Sequence, residues 1–171
     1  MKTIIIRKLT LEDESAFLYA MKSSAALHDP WMSSPKTSEE FAVFFQRFQQ
    51  PNQISFLACA EDNDIIGVFN LSEIVRGIFQ NAYLGFCVMI DYASQGYMSQ
   101  ALKQILEIAF VELGLHRLEA NIQPTNMKSI NLVKHNGFRR EGYSSRYLQI
   151  NEVWCDFERW AMTLEDWLEI K

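Results

Sequence analysis

The 171-residue chain has little of what marks the more specialised protein classes. Glycine and proline number only seven and four, too few for a collagen-like repeat or a low-complexity chain. The longest apolar runs, such as Ile4 to Ile6, fall far short of the ~20 residues a membrane-spanning helix needs, so no membrane partner is expected. Basic residues are outnumbered, 16 against 21 acidic, for a formal net charge of -5. With no basic run either, binding to DNA or RNA through counterion release is disfavoured, although backbone amides and a few cations can still hold an anionic ligand. The three cysteines, Cys59, Cys87 and Cys155, are odd in number and widely spaced in apolar stretches, which speaks against a disulfide framework. His28, His116 and His135 have no Cys or His partners at metal-ligand spacing, and no HExxH is present; no metal is expected. Met1 to Arg7 alternate rather than forming a basic start, a long apolar run and a small-residue cleavage site, so the expected compartment is the cytoplasm. With no repeat and no Ser/Gly/Pro-rich linker, the expectation is one domain over residues 1–171.

What is present is 49% hydrophobic sequence with readable periodicity. Thr3 to Leu9 is short and β-branched, and Thr10 then caps a run in which Leu11, Phe17, Leu18 and Met21 recur at roughly helical spacing. Residues 28–36, HDPWMSSPK, carry two prolines and resist regular structure, making a candidate functional loop; Ser38-Glu39-Glu40 opens a second helix with Phe41, Phe44, Phe45 and Phe48 inward. Ile54 to Ala60 and Ile65 to Leu71 read as a hairpin through Glu61-Asp62-Asn63-Asp64. Ala82 to Ile90 reads as a strand. The longest amphipathic stretch runs from about 98 to 113, stopped by Gly114. His116 to Ile122 is then a strand, Asn126 to Asn136 a short helix closed by Gly137, and two more strands meet near Asn151-Glu152 before a last helix in TLEDWLEI. This order predicts a mixed α/β (α+β) fold around one sheet, with one parallel pairing across the long helix and antiparallel pairings elsewhere.

Two constellations stand where chemistry could be done. In Asp91 to Ser99 a strand enters a helix through Gly96, which lets the backbone approach a ligand, while the helix start favours an anion. The spacing is neither GxGxxG nor GxxxxGK[ST], so dinucleotide and P-loop readings are not supported. In Gln123 to Ser129, followed by Gly137-Phe138, Asn126 can cap a helix whose third residue is Ser129, with Pro124 fixing the approach. Locally, each is also readable as an ordinary turn or a well-capped helix.

Taken together with YLGF at 83–86, QGYMSQAL at 95–102, LHRLEANIQPTNMKSINLVKHNGFRREGY at 115–143 and FNLSEIVRG at 69–77, these motifs resemble the GNAT superfamily of acyl-CoA-dependent N-acyltransferases. The resemblance extends over nearly the whole chain and points to the Rim-type branch, the ribosomal-protein alanine N-acetyltransferases and their relatives. It implies one mixed, mostly antiparallel sheet of about seven strands flanked by helices. It also implies transfer of an acetyl group from acetyl-CoA to a primary amine, the α-amine of a protein or peptide N-terminus, by a monomer or homodimer. Cofactor contacts are implied at Ser94, Gln95, Gly96, Tyr97, Met98, Ser99 and Asn126, with backbone donors at Cys87, Val88 and Met89.

Departures from the superfamily pattern concern both halves of the site. Ala93 replaces an initial Gln/Arg and Met98 a final small residue; because backbone N–H groups do most of the pyrophosphate binding, the first change weakens rather than abolishes it. Val133 stands where many members carry a proton-donating tyrosine, and the resemblance to the Rim-type branch points to Ser129 as the substitute. Asn121 and Leu148 occupy positions where relatives carry a catalytic Glu, so Glu73 and Glu119 are the candidate bases, with Tyr147 and His116 behind them, and Trp31 and His28 as candidate linings of the acceptor groove. Direct transfer needs no covalent cysteine, and Cys87 has no His nearby in sequence. Without a strong base an α-amine of pKa about 7.7 to 8 is a better acceptor than a lysine near 10.4. Two alternatives stand beside this reading: a small-molecule amine (polyamine, amino acid or drug) acetyltransferase, and a non-catalytic acyl-CoA sensor.

Overall fold

The computed structural model describes residues 3–171; Met1 and Lys2, at the start of the stretch read against an export signal, lie outside the described residues. The elements are β1 (Ile4–Lys8), α1 (Glu14–Ser23), α2 (Ala25–His28), α3 (Ser38–Arg47), β2 (Ile54–Ala60), β3 (Ile65–Val75), β4 (Asn81–Val88), α4 (Tyr97–Glu107), β5 (Arg117–Ile122), α5 (Met127–His135), β6 (Arg139–Ile150), β7 (Val153–Thr163) and α6 (Leu164–Ile170). Helix starts follow from side chains able to replace missing backbone acceptors. Thr37 accepts from the Glu40 amide at 3.2 Å while the Glu40 carboxylate takes the Thr37 amide at 3.2 Å, and Thr163 and Asp166 repeat this box at α6.

The strands form one seven-stranded sheet in the order β1-β2-β3-β4-β5-β7-β6, antiparallel except for β4 against β5. That one parallel pair is joined by α4, as a crossover connection requires. The mixed, mostly antiparallel sheet expected from the sequence is thus observed. Boundaries move slightly: α4 begins at Tyr97 and continues as a π-helical segment, Ile108–Glu112, while β4 ends at Val88 and a 3-10 turn occupies Ile90–Tyr92.

Both sheet faces are covered in the half that contains β1 to β4. On one side Leu118, Ala120 and Ile122 of β5 and Leu84 of β4 pack with Ala101, Leu102 and Ile105 of α4 and with Ile130 and Val133 of α5. Leu102, Ile105 and Leu106 are fully buried, each contributing about 1.5 to 3 kcal/mol of hydrophobic stabilisation. On the other side Leu57, Cys59, Val68, Cys87 and Met89 meet Phe17, Leu18 and Met21 of α1 and Phe41 of α3. The period-2 alternation of β5 therefore sends Arg117, Glu119 and Asn121 to this second face.

Candidate active site

The site begins where the sheet splits. β4 and β5 pair only over Asn81–Tyr83 and Arg117–Glu119, yet β4 continues to Val88 and β5 to Ile122. Beyond Tyr83 the two strands diverge, leaving backbone groups of β4 without a strand on that side. Which groups these are follows from the ladder on the opposite edge. The Met89 amide donates to Ile66 O at 2.9 Å, and the alternation of an antiparallel pair turns the Cys87 amide toward β3 as well, and those of Phe86 and Val88 toward the split.

A cleft of about 670 Å³ runs through this split from one sheet face to the other. On the α4/α5 side it is lined by Ala93, Ser94, Gly96, Met98, Ser99, Asn126, Lys128, Ser129, Asn131, Leu132 and His135; on the other side by Leu27, His28, Trp31 and Met32; between them stand Phe86, Cys87 and Val88, with Tyr92 at the edge. The α4 start is built to leave donors available. Gly96 is its N-cap at φ +85, no side chain caps it, and its first turn has no acidic residue, whereas α1, α3 and α6 all carry acids there. The first-turn amides have no acceptor within the helix, and the macrodipole places about half a positive charge at the same spot.

On α5, Asn126 Oδ1 accepts the Ser129 amide at 3.2 Å, which orients the first turn and leaves the Ser129 side chain on the cleft wall. Asn136, at the other end of α5, exchanges hydrogen bonds with Ser99 of α4 at 3.1 and 3.2 Å, holding the end of α5 against the start of α4. His135 donates from Nδ1 to Asn131 O at 2.7 Å, so its other ring nitrogen is turned away from its own helix. Burial pushes the Cys87 thiol up to about 12, which keeps it protonated and chemically quiet.

The family follows from this architecture and from direct comparison. Residues 3–139 match the acetyltransferase (GNAT) domain family. The chain belongs to the GNAT family. It is accordingly an acetyl-CoA N-acetyltransferase of the GNAT type. Among its relatives, a probable N-acetyltransferase, YjcK, of Bacillus subtilis is 28% identical over 96% of each chain. The ribosomal-protein alanine N-acetyltransferase of Escherichia coli is 36% identical over 63% of this chain and 55% of that protein. Among solved structures, Mycobacterium smegmatis RimJ in complex with CoA-disulfide has a TM-score of 0.88 at 22% identity, covering 95% of this chain and 83% of that one. Spermidine N-acetyltransferase from Vibrio cholerae in complex with CoA and spermine has a TM-score of 0.82 at 20% identity, covering 96% and 98%. The two structures share the fold.

Against this GNAT frame the residues singled out from sequence divide into two groups. Val88, Ser94, Gly96, Met98, Ser99, Asn126 and Ser129 come together on the cleft wall, as does Cys87. Gln95 is exposed and folds back to Asp91 O at 2.6 Å, Tyr97 is buried inward, and Met89 sits under Ser24; none of the three lines the cleft. The expectation of backbone donors at Cys87 and Met89 is corrected by the ladder, which turns both amides to β3 and leaves those of Phe86 and Val88 facing the split. Glu73 and Glu119 also lie outside the cleft lining. Glu73, at φ +50 on a bulge of β3, accepts from Gln53 Nε2 at 2.9 Å, and Glu119 is paired with Arg117 at 2.8 Å.

Met98 shows how this chain accommodates its departure from the motif. Its side chain turns inward over Gly67 of β3, where an added Cβ would stand 2.6 Å from Met98 Sδ and 2.7 Å from Cys87 O. A large residue on the helix is matched by the absence of a side chain on the strand. Lys128, Asn131, Leu132 and His135 line the cleft as well, beyond the residues expected from the sequence. Their i, i+3, i+4, i+7 spacing along α5 is the signal the sequence carries for them.

Proposed function

We propose that the chain acetylates the α-amine at the N-terminus of a protein or peptide. The observation that carries this reading is the polarity of the cleft: Lys128 and His135 line it, and among the described residues none that lines it is acidic. Such a wall suits the phosphates of acetyl-CoA and offers a polycation no counter-charge. The amine must also be neutral to attack. At pH 7.5 about a third of an α-amine is neutral against roughly one lysine in a thousand, a difference of about 3.5 kcal/mol that a site without a carboxylate does not offset. The alanine specificity in the name of the Escherichia coli relative supports the same class of acceptor.

In this reading acetyl-CoA supplies the acetyl group as a thioester. The α4 start, from Ser94 to Ser99, holds the pyrophosphate with main-chain N–H groups. Phe86 and Val88 present main-chain groups along the pantetheine arm and to the acetyl oxygen, where one well-placed donor is worth about 3 to 4 kcal/mol. Asn126 orients α5 and Ser129 donates a hydrogen bond to the departing sulfur, a modest task because a thiol of pKa near 8.5 leaves readily.

The test is a competition among acceptors. Acetyl-CoA is supplied with a peptide beginning in alanine, the same peptide with a blocked N-terminus and an internal lysine, and spermidine; released thiol is quantified and the acetylated atom located by mass spectrometry. Acetylation of the free α-amine, at a kcat/KM at least about tenfold above the other two, is the expected result. Preference for spermidine or for lysine overturns the acceptor assignment.

A further inference from the structure

We propose that His135 binds the 3′-phosphate of acetyl-CoA and takes up a proton in doing so, a role that rests on the placement of the pyrophosphate at the α4 start. His135 lies in the last turn of α5, exposed on the cleft wall. Its neighbours set its place along the cofactor. Ser129, in the first turn of α5, marks the sulfur end of the cleft in the reading above, and His135 is six residues further on, about 9 Å along the helix axis. The next residue, Asn136, is buried and exchanges hydrogen bonds with Ser99 in the first turn of α4. His135 therefore stands beside the α4 amides, at the phosphate end of the site and away from the thioester. Those amides serve the pyrophosphate. The phosphomonoester on the ribose is a separate anion beyond it, and needs a donor of its own.

A helix C-terminus is by itself the wrong sign for that group. Here the last carbonyls are occupied: those of Leu132, Val133 and Lys134 accept from the amides of Asn136, Phe138 and Gly137 at 3.2, 3.1 and 3.1 Å, and that of Asn131 accepts from His135 Nδ1. A carbonyl can only accept, so Nδ1 carries a hydrogen, and in the neutral ring Nε2 has a lone pair turned away from the helix. A phosphate repels that lone pair. With one proton added, Nε2 becomes a charge-assisted donor on a ring already held by the Asn131 carbonyl, and the negative end of the helix favours the imidazolium. Near pH 7.5 an imidazole in water, of pKa about 6.5, and a phosphomonoester, of second pKa about 6, are both mostly deprotonated. Bringing the two together draws one proton from solvent to be held between them.

No carboxylate competes for that proton on the cleft wall, where among the described residues none is acidic. On α5, Lys134 adjoins His135 and Lys128 is about 10 Å away at the sulfur end. On α4, Lys103 follows Ser99 by one turn and Glu107 by two, and Glu107 is paired with Lys171 at 3.2 Å. β5 turns Arg117 and Glu119 to the opposite sheet face. α6 reaches Gly137 with Ile170; of its acids, Glu165 and Asp166 are engaged by His116 and Arg139, and Glu169 adjoins Ile170.

Titration calorimetry with acetyl-CoA and with acetyl-dephospho-CoA, which lacks only the 3′-phosphate, measures affinity and proton uptake together when run at pH 7.5 in buffers of different ionisation enthalpy. Wild type should bind acetyl-CoA about tenfold more tightly than the dephospho form and take up about half a proton or more with acetyl-CoA alone. His135→Gln places a good helix former at an exposed position and should abolish both effects, the two ligands then binding within about threefold of one another and the dephospho form as tightly as to wild type. His135→Lys carries its charge permanently and should keep the preference without the proton uptake. A preference that survives in His135→Gln, an equal loss of affinity for both ligands in that variant, or the same proton uptake with both ligands in wild type overturns the proposal. Failure of the α4 reading appears elsewhere, as undiminished affinity of Gly96→Asp for both ligands.

Discussion

Gly96 is where the anion-binding reading is most exposed to test, because Ala and Asp substitutions there separate backbone strain from charge. At φ +85 an L-residue costs about 1 to 2 kcal/mol, and for a chain of this length each kcal/mol moves the melting temperature by about 2 to 4 °C. Gly96→Ala should therefore lower it by several degrees. Gly96→Asp should stay nearer to wild type without ligand, since aspartate tolerates the left-handed region better and a negative charge at a helix start returns about 0.3 to 1 kcal/mol. With acetyl-CoA the order changes. A carboxylate about 5 Å from one phosphate charge, at an effective dielectric constant near 20, is repelled by about 3 kcal/mol, or a dissociation constant raised roughly 100-fold. At a ligand concentration of about 100 times the wild-type dissociation constant, wild type gains about 2.7 kcal/mol, a rise of about 5 to 10 °C, and the aspartate variant about 0.4 kcal/mol, a rise of about 1 °C. Differential scanning calorimetry with and without acetyl-CoA, paired with titration calorimetry, measures both quantities. A folded Gly96→Asp protein with the full wild-type rise would refute the α4 start as the pyrophosphate site.

Three further outcomes are expected. Ser129→Ala should keep the fold and the KM for acetyl-CoA while kcat falls about 10- to 100-fold, and steady-state kinetics with a rate-limiting chemical step decides it; a large loss of affinity would make Ser129 a binding residue. Cys87→Ala should retain kcat within about twofold, because a thiol held near 12 by burial stays protonated and cannot account for an inflection in activity between pH 6 and 9; loss of most activity would reinstate a covalent step. Asp13→Asn should cost about 3 kcal/mol, since the buried carboxylate accepts from Arg7 at 2.6 and 2.8 Å and from the Thr10 amide at 2.8 Å. Arg7 holds the Asp13 carboxyl below the usual carboxylate range, so the stabilisation is present above an unfolded-state pKa of about 3.9 and is lost as pH falls through the lower folded-state value. The gap in melting temperature between wild type and variant should close below about pH 4, and a gap that persists there would remove the ion pair as its cause.

The elements were legible wherever local chemistry and periodicity agreed. Thr37 with Glu40 and Thr163 with Asp166 announce helix starts in the sequence, and both boxes form. The turn at Glu61 to Asp64 joins β2 to β3 in the expected antiparallel pair. Less legible was the end of β4, where the apolar pattern runs on to Ile90 but pairing with a partner strand does not. Hydropathy records burial, and Met89 is buried against α1 whether or not its neighbour on the split side is a strand. The same limit hides the divergence of β4 and β5, since nothing within either segment states how far they remain hydrogen-bonded.

The site was legible as a pair of helix starts and illegible as a set of directions. Gly96, Asn126 and Ser129 are identifiable because a turn glycine, a cap and its third residue act through the backbone of their own segment. Donor assignment in β4 depends instead on which way each amide points, and that is set by Ile66, more than twenty residues away, through the Met89 amide. Burial alone would rank Cys87 above Phe86, and the ladder reverses that order. Met98 carries the same lesson in side-chain volume: considered within its motif it is a lost small residue, but Gly67 on the neighbouring strand leaves room for its sulfur. Exchange of bulk between α4 and β3 keeps the helix start close to the sheet edge, so the large residue does not by itself count against a working pyrophosphate site.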